Sequence, residues 1–172
     1  KADKVRLTTL INRSITMRSL LAFCLVLLVA SANTTARADV EFMTVEGYGG
    51  VPLNVMTSGD PEKPGILFIH GMAQASQAFR LQFESELADN FYLVAFDMRG
   101  HGLSGKPWQP DLLVPSQAWA GDVAAVMAVT GLEKPVVVGW SYGGFVLSDY
   151  VRHYGIDNLA GVNLVGSLGG LV

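Results

Sequence analysis

Three short runs, "ILFIH" ending at His70, "FYLVAFD" ending at Asp97 and "PVVVGW" ending at Trp140, are apolar at consecutive rather than alternate positions. Strands of that kind are buried on both faces. Between them lie segments with helical character. "ASQAFRLQFESELADN" places Phe79, Phe83 and Leu87 four residues apart, one stripe of an amphipathic helix. "PSQAWAGDVAAVMAVTGLEK" reads as a second helix ending at Gly131, and "YGGFVLSDYVRHYG" as a third, followed by a last strand in "NLAGVNLVGS". Strand and helix alternate from residue 65 onward, which predicts an α/β fold with right-handed crossovers and a mostly parallel sheet covered on both faces. Ahead of it, "VEFMTVEG" and "VPLNVMTSG" join at Gly47 to Gly50 and predict a hairpin at one side of that sheet.

The first 38 residues have a different character. Arg18 precedes an eleven-residue apolar run, Leu20 to Ala30, and two Ala-x-Ala sites follow, ending at Ala32 and Ala38. This is the layout of a secretory signal peptide starting at Met17, and the run is well short of the roughly 20 residues that a membrane span needs. The expectation is export to the periplasm or medium with cleavage at Ala38 or Ala32, leaving no stable membrane anchor. The competing reading is an uncleaved anchor. Residues 1 to 16 are either a long basic n-region or sequence upstream of the start. Residues 39–172 then form the folded part, with 6 of the 12 basic residues, 14 of the 15 acidic ones and a formal charge of −8. Such a surface excludes a nucleic-acid partner, which requires a basic face. The one cysteine, Cys24, lies in the leader, so disulfides and thiolate metal sites are excluded from the remainder.

Gly139-Trp140-Ser141-Tyr142-Gly143 stands between "VVV" and the third helix. A serine at the apex of so tight a strand-to-helix turn is strained, and side chains two residues before or after it would collide where strand and helix pack. The geometry predicts that the Ser141 hydroxyl projects above the sheet edge, at a helix N-terminus whose free N–H groups favour negative charge. Acyl transfer needs two N–H donors aimed at the developing oxyanion. Tyr142 offers one, and the turn after His70-Gly71 offers the other at Met72. His70 itself reads as a residue that holds this loop rather than one that moves protons. In "FDMRGHGLSGKP", Gly100 and Gly102 allow a tight turn. With no ligand-like cluster of carboxylates or histidines around them, Asp97 and Arg99 read as loop-stabilising, and His101 and Ser104 as turn residues; neither a metal nor a cofactor is expected.

In order and spacing, "HGM", "DMRGHGLSG" and "GWSYGG" resemble the α/β-hydrolase superfamily, in the branch of small esterases and cofactor-free haloperoxidase-like enzymes, over about residues 40 to 172. The resemblance implies that Ser141 is the nucleophile, that the Met72 and Tyr142 N–H groups form the oxyanion hole, and that His70, Gly71, Asp97, Arg99, Gly100, Gly139 and Gly143 are structural. Serine at 141 separates the chain from the dehalogenase and epoxide-hydrolase branches, where that position is aspartate. The family order of nucleophile, acid, then histidine is not completed: no acid follows Asp157 and no histidine follows His153. The expectation is therefore an incomplete domain, the N-terminal part of a serine hydrolase acting on a small-molecule carboxylic ester or related acyl bond. As given, it would lack the triad acid and histidine and be inactive. The alternatives are a non-catalytic truncated product or a small-molecule-binding pseudoenzyme, and lyase or perhydrolase chemistry on the same fold.

Overall fold

A computed structural model describes residues 39–167; the expected leader, residues 1–38 with Cys24, lies outside the described residues. Six strands form one sheet: β1 (Glu41–Glu46), β2 (Pro52–Ser58), β3 (Gly65–Ile69), β4 (Tyr92–Phe96), β5 (Val136–Trp140) and β6 (Gly161–Val165), in the order β1-β2-β4-β3-β5-β6. The β1–β2 hairpin is antiparallel and joins β4 antiparallel, whereas the β4–β3, β3–β5 and β5–β6 pairings are parallel. The expected mixed sheet with its hairpin at one side is what the chain forms.

Burial follows the apolar runs in β4 and the second half of β3. Strand β5, expected to be buried on both faces, is buried only at Val137 and Gly139, with Val136 exposed and Val138 and Trp140 half-buried. All five residues of β4 are buried, and in β3 alternate side chains enter different clusters. Leu67 and Ile69 pack with Val94, Phe96 and Val137 against α3 (Ser116–Thr130) and α4 (Gly143–Tyr154), through Val123, Val126, Val146 and Leu147. Phe68 packs with Leu93 and Ala95 against Phe79 and Phe83. Helix α3 ends at Gly131, whose φ of 70° lies in the left-handed region that glycine adopts without strain.

The segment predicted as one amphipathic helix is instead three short pieces: a 3₁₀ turn at Ser76–Phe79, α1 (Arg80–Phe83) and a second 3₁₀ turn at Glu86–Asp89. Ser85 explains the break. It is extended (φ −102°, ψ 175°), and its hydroxyl donates to the Gln82 carbonyl at 2.7 Å and accepts from the Leu87 N–H at 3.2 Å. A serine that bonds the nearby backbone this way competes with the helix ladder. The stripe survives in part, since the Phe79 and Phe83 rings lie 5.0 and 5.8 Å from Phe68. A further short helix, α2 (Pro110–Leu113), starts with proline at its first position, where a missing N–H does no harm.

Register decides where the site lies. Ile69 of β3 pairs with Phe96 of β4 on one side and Gly139 of β5 on the other. His70, Asp97 and the Trp140-Ser141 step therefore leave the sheet side by side at one edge.

Candidate active site

Ser141 occupies the turn between β5 and α4 with φ 52°, one of three non-glycine residues with positive φ among those described. A side chain held there is strained by about 1–2 kcal/mol. The surroundings enforce it. A Cβ on Gly143 would meet the Ile69 carbonyl carbon at 2.8 Å and the His70 carbonyl oxygen at 2.9 Å, with the Ile69 oxygen nearer still. A Cβ on Gly139 would stand 3.0 Å from the Gly143 oxygen and from two backbone atoms of Gly144. The Ser141 N–H donates to the Val165 carbonyl at 2.9 Å, tying the turn to the end of β6. Ser141 is exposed, and no side chain caps the N-terminus of α4.

The loop after β3 runs alongside. A Cβ on Gly71 would lie 3.2 Å from the Ser141 Cβ and 3.7 Å from its Oγ, so only glycine lets the backbone approach this closely without crowding the hydroxyl. Met72 is exposed beyond it. Aromatic rings flank the serine on both chain neighbours: Trp140 meets Phe79 at 6.4 Å, and Tyr142 meets Trp119 at 5.7 Å and Phe145 at 5.8 Å.

His70 is fully buried. Its Nε2 accepts from the Met98 N–H at 3.0 Å, and its Nδ1 lies 2.8 Å from the Gly71 carbonyl oxygen. A backbone N–H can only donate, so Nε2 is unprotonated and Nδ1 carries the hydrogen that bonds Gly71. Burial lowers the imidazole below the ordinary histidine value, against the bond to Gly71.

Asp97 knits three segments together. It accepts from the Ser76 N–H at 2.7 Å, the Leu103 N–H at 2.8 Å and the Asn54 side chain at 3.0 Å, while the Ser104 hydroxyl donates to its carbonyl. Burial acts to raise this carboxyl, but the N–H donors of Leu103 and Ser76 outweigh it and hold it below the usual range. Gly102, at φ 47°, passes so close that a side chain there would strike the carboxylate.

Arg99 leaves this edge and is buried against α3. Its Nε and Nη2 form a fork on Asp122, at 2.7 and 2.6 Å, while Nη1 bonds the Leu112 carbonyl and Nη2 the Tyr48 carbonyl. Gly100, at φ 80°, makes the turn that separates Arg99 from the loop beyond. Sequence reasoning missed Asp122; the signal was a lone acid in the apolar helix segment "AGDVAAV", since buried acids are rare unless paired.

Among the described residues no histidine bonds Ser141. His101 bonds the Arg99 carbonyl through Nδ1 at 3.0 Å, and His153, in the last turn of α4, bonds Ser116 at 2.8 Å. The site thus unites His70, Gly71, Ser141, Tyr142 and the two glycines of the turn, with Asp97 bracing the neighbouring loops.

Comparison with known proteins identifies this arrangement. A family model described as the alpha/beta hydrolase fold matches residues 64–169. The chain belongs to the α/β-hydrolase family. It is 34% identical over 119 residues to a bifunctional esterase/perhydrolase of Acinetobacter calcoaceticus, covering 69% of this chain and 42% of that one. It is 35% identical over 104 residues to epoxide hydrolase 1 of Caenorhabditis elegans, covering 60% of this chain and 25% of that one. Among solved structures, an esterase from Rhodococcus sp. ECU1013 superimposes with a TM-score of 0.68 at 36% identity, over 73% of this chain and 46% of that one. A Burkholderia cenocepacia protein described as an aryl esterase gives 0.71 at 39% identity, over 74% and 47%. This α/β-hydrolase chain spans less than half the length of each of these four.

Proposed function

We propose that the protein is a serine hydrolase that cleaves a small carboxylic ester through an acyl-enzyme formed on Ser141. The observation that carries this reading is an exposed serine held at φ 52° on the strand-to-helix turn. Strain of this kind persists only where the surrounding structure imposes it, and it clusters at functional sites. In the proposed reaction the Ser141 Oγ bonds the acyl carbon while its proton passes to a base. The carbonyl oxygen becomes an oxyanion facing the N–H groups of Met72 and Tyr142. Collapse breaks the bond to the leaving alcohol, which takes up the proton, and water then repeats the sequence to release the acid.

Each of the three histidines of this chain bonds groups other than Ser141. In the family order of nucleophile, acid and histidine, the base follows the nucleophile in the chain. An ester as substrate is supported by the similar esterases and by the serine itself: epoxide-hydrolase chemistry on this fold uses a carboxylate at the turn. The experiment is steady-state hydrolysis of p-nitrophenyl and aryl acetates by the full-length protein. Ser141→Ala should lower kcat by several orders of magnitude. Turnover unchanged in that variant would refute the assignment.

A further inference from the structure

The bonds around His70 bear on a part of the site that the nucleophile does not touch. In the sheet order, β3 stands between β4 and β5. The His70 ring lies on the β4 side, where its Nε2 accepts from the Met98 N–H. Its Nδ1–H faces the other way along the chain and holds the Gly71 carbonyl at 2.8 Å. The same carbonyl accepts from the Gln74 N–H at 3.2 Å, so two donors fix it. The Gly71 carbonyl and the Met72 N–H belong to one peptide unit, which is planar and trans, with the two groups pointing in opposite directions. A carbonyl drawn toward the His70 ring on the β4 side turns the Met72 N–H toward the β5 side. Ser141 stands there, and a Cβ on Gly71 would be only 3.2 Å from its Cβ.

We propose that His70 is a positioning residue: in its Nδ1–H form it clamps the Gly71 carbonyl and thereby aims the Met72 N–H at the oxyanion that forms beside Ser141. The proposal rests on the reading of Ser141 as the nucleophile. It assigns His70 a catalytic consequence beyond holding a loop, because a peptide that turns over points a carbonyl instead of an N–H at developing negative charge. It also leaves the ring's second anchor, the Met98 bond, sensitive to acid. Protonated His70 carries a hydrogen on Nε2, which then opposes the Met98 N–H, and the acceptor that fixes the ring is lost. The ionisable groups facing the ring are His101, whose ring centre is 5.2 Å away and whose charge would oppose protonation, and Asp97, whose carboxylate would favour it. Burial is the largest opposition, so the Met98 anchor is lost only below the ordinary histidine value of 6.5, while the Nδ1–H bond to Gly71 persists in the protonated ring.

Two isosteres separate the two bonds. Asn at position 70 puts an amide N–H where Nδ1 stands and keeps the Gly71 clamp; Gln puts a carbonyl oxygen where Nε2 stands and keeps only the Met98 bond. In the full-length protein assayed with p-nitrophenyl acetate, His70→Gln and His70→Ala should lose about 10- to 100-fold in kcat, part of what removal of an oxyanion donor costs. Their KM should change less than about 3-fold, and His70→Asn should recover most of the lost kcat. Ring ¹⁵N resonances of the wild-type protein should show Nδ1 protonated and Nε2 bare at pH 7, whatever the variants do. Wild-type kcat in His70→Gln, equal loss in the Asn and Gln variants, or an Nε2–H tautomer would each overturn the proposal. Failure of the underlying reading has a different signature, full turnover in Ser141→Ala, whereas failure of the clamp alone leaves Ser141→Ala inactive and His70→Gln unimpaired.

Discussion

Gly143→Ala tests how tightly the serine turn is wedged between β3 and α4. The added methyl would sit 2.8 Å from the Ile69 carbonyl carbon and 2.9 Å from the His70 oxygen, with the Ile69 oxygen closer still. All three are backbone atoms at the end of β3, whose last residue, Ile69, is paired with both neighbouring strands, so no side chain can rotate away. Relief requires the start of α4 to move by about 1 Å, and forcing a methyl into such a space costs about 3 kcal/mol, the upper end of the overpacking range. Replacing glycine by alanine in a helix returns up to about 1 kcal/mol. The net loss is about 2 kcal/mol, and in urea, with a slope of about 2 kcal/mol per M, the unfolding midpoint should fall by roughly 1 M. A 1 Å displacement of Ser141 from the Gly71 loop should also reduce kcat about 100-fold. Gly139→Ala is the internal comparison. Its contacts begin at 3.0 Å, a shift of a few tenths of an ångström relieves them, and the loss should stay below about 1 kcal/mol once the lower entropy cost of ordering alanine is counted. A Gly143→Ala protein with wild-type midpoint and kcat, or a Gly139→Ala protein that is the less stable of the two, would refute the wedge.

Arg99→Met should destabilise by about 3–5 kcal/mol, because it strands the buried Asp122 carboxylate, and adding Asp122→Leu should recover much of that loss in a double-mutant cycle followed by urea unfolding. Asp97 has a folded-state acidity stronger than its unfolded one, so its contribution to stability is complete above about pH 4 and is lost as pH falls through the lower folded value. Midpoints measured from pH 6 to pH 2 should therefore show a shallower acid decline in Asp97→Asn than in wild type. Ser141→Gly should raise stability by about 1 kcal/mol through release of the left-handed backbone strain while abolishing turnover, read out by thermal unfolding and ester assay together. The chain of residues 39–172 on its own should hydrolyse p-nitrophenyl acetate no faster with serine than with alanine at position 141, since its histidines bond Met98, Gly71, Arg99 and Ser116 instead.

The strands were legible because "ILFI", "YLVAF" and "VVVGW" are continuous apolar runs, and in "YLVAF" every residue is buried as such a run implies. In "VVVGW" the burial was overread, since only Val137 and Gly139 are buried and Val136 is exposed. The serine turn was legible for a related reason, since the backbone approaches tightly at both glycines, Gly139 and Gly143, and at 143 leaves no space for a side chain. What failed was the helix over residues 76–89, where the Phe79 and Phe83 stripe was read correctly but the competing bonds of the Ser85 hydroxyl were not weighed. The Arg99–Asp122 fork was invisible for a different cause. Its partners are 23 residues apart, and nothing in "DMRG" announces that the arginine turns inward rather than toward solvent. The tautomer of His70 lay further out of reach, because it depends on a Met98 N–H that only strand order brings beside the ring.

The most direct test of the account is to trap the acyl-enzyme. The full-length protein should be mixed with a slowly deacylating aryl ester, quenched in acid within the first turnover, digested and analysed by mass spectrometry. The account predicts one acyl group per chain on the peptide containing Ser141, absent in Ser141→Ala, with an equivalent burst of released phenol. Steady turnover with no adduct on Ser141, or an adduct on another residue that persists in Ser141→Ala, would contradict it.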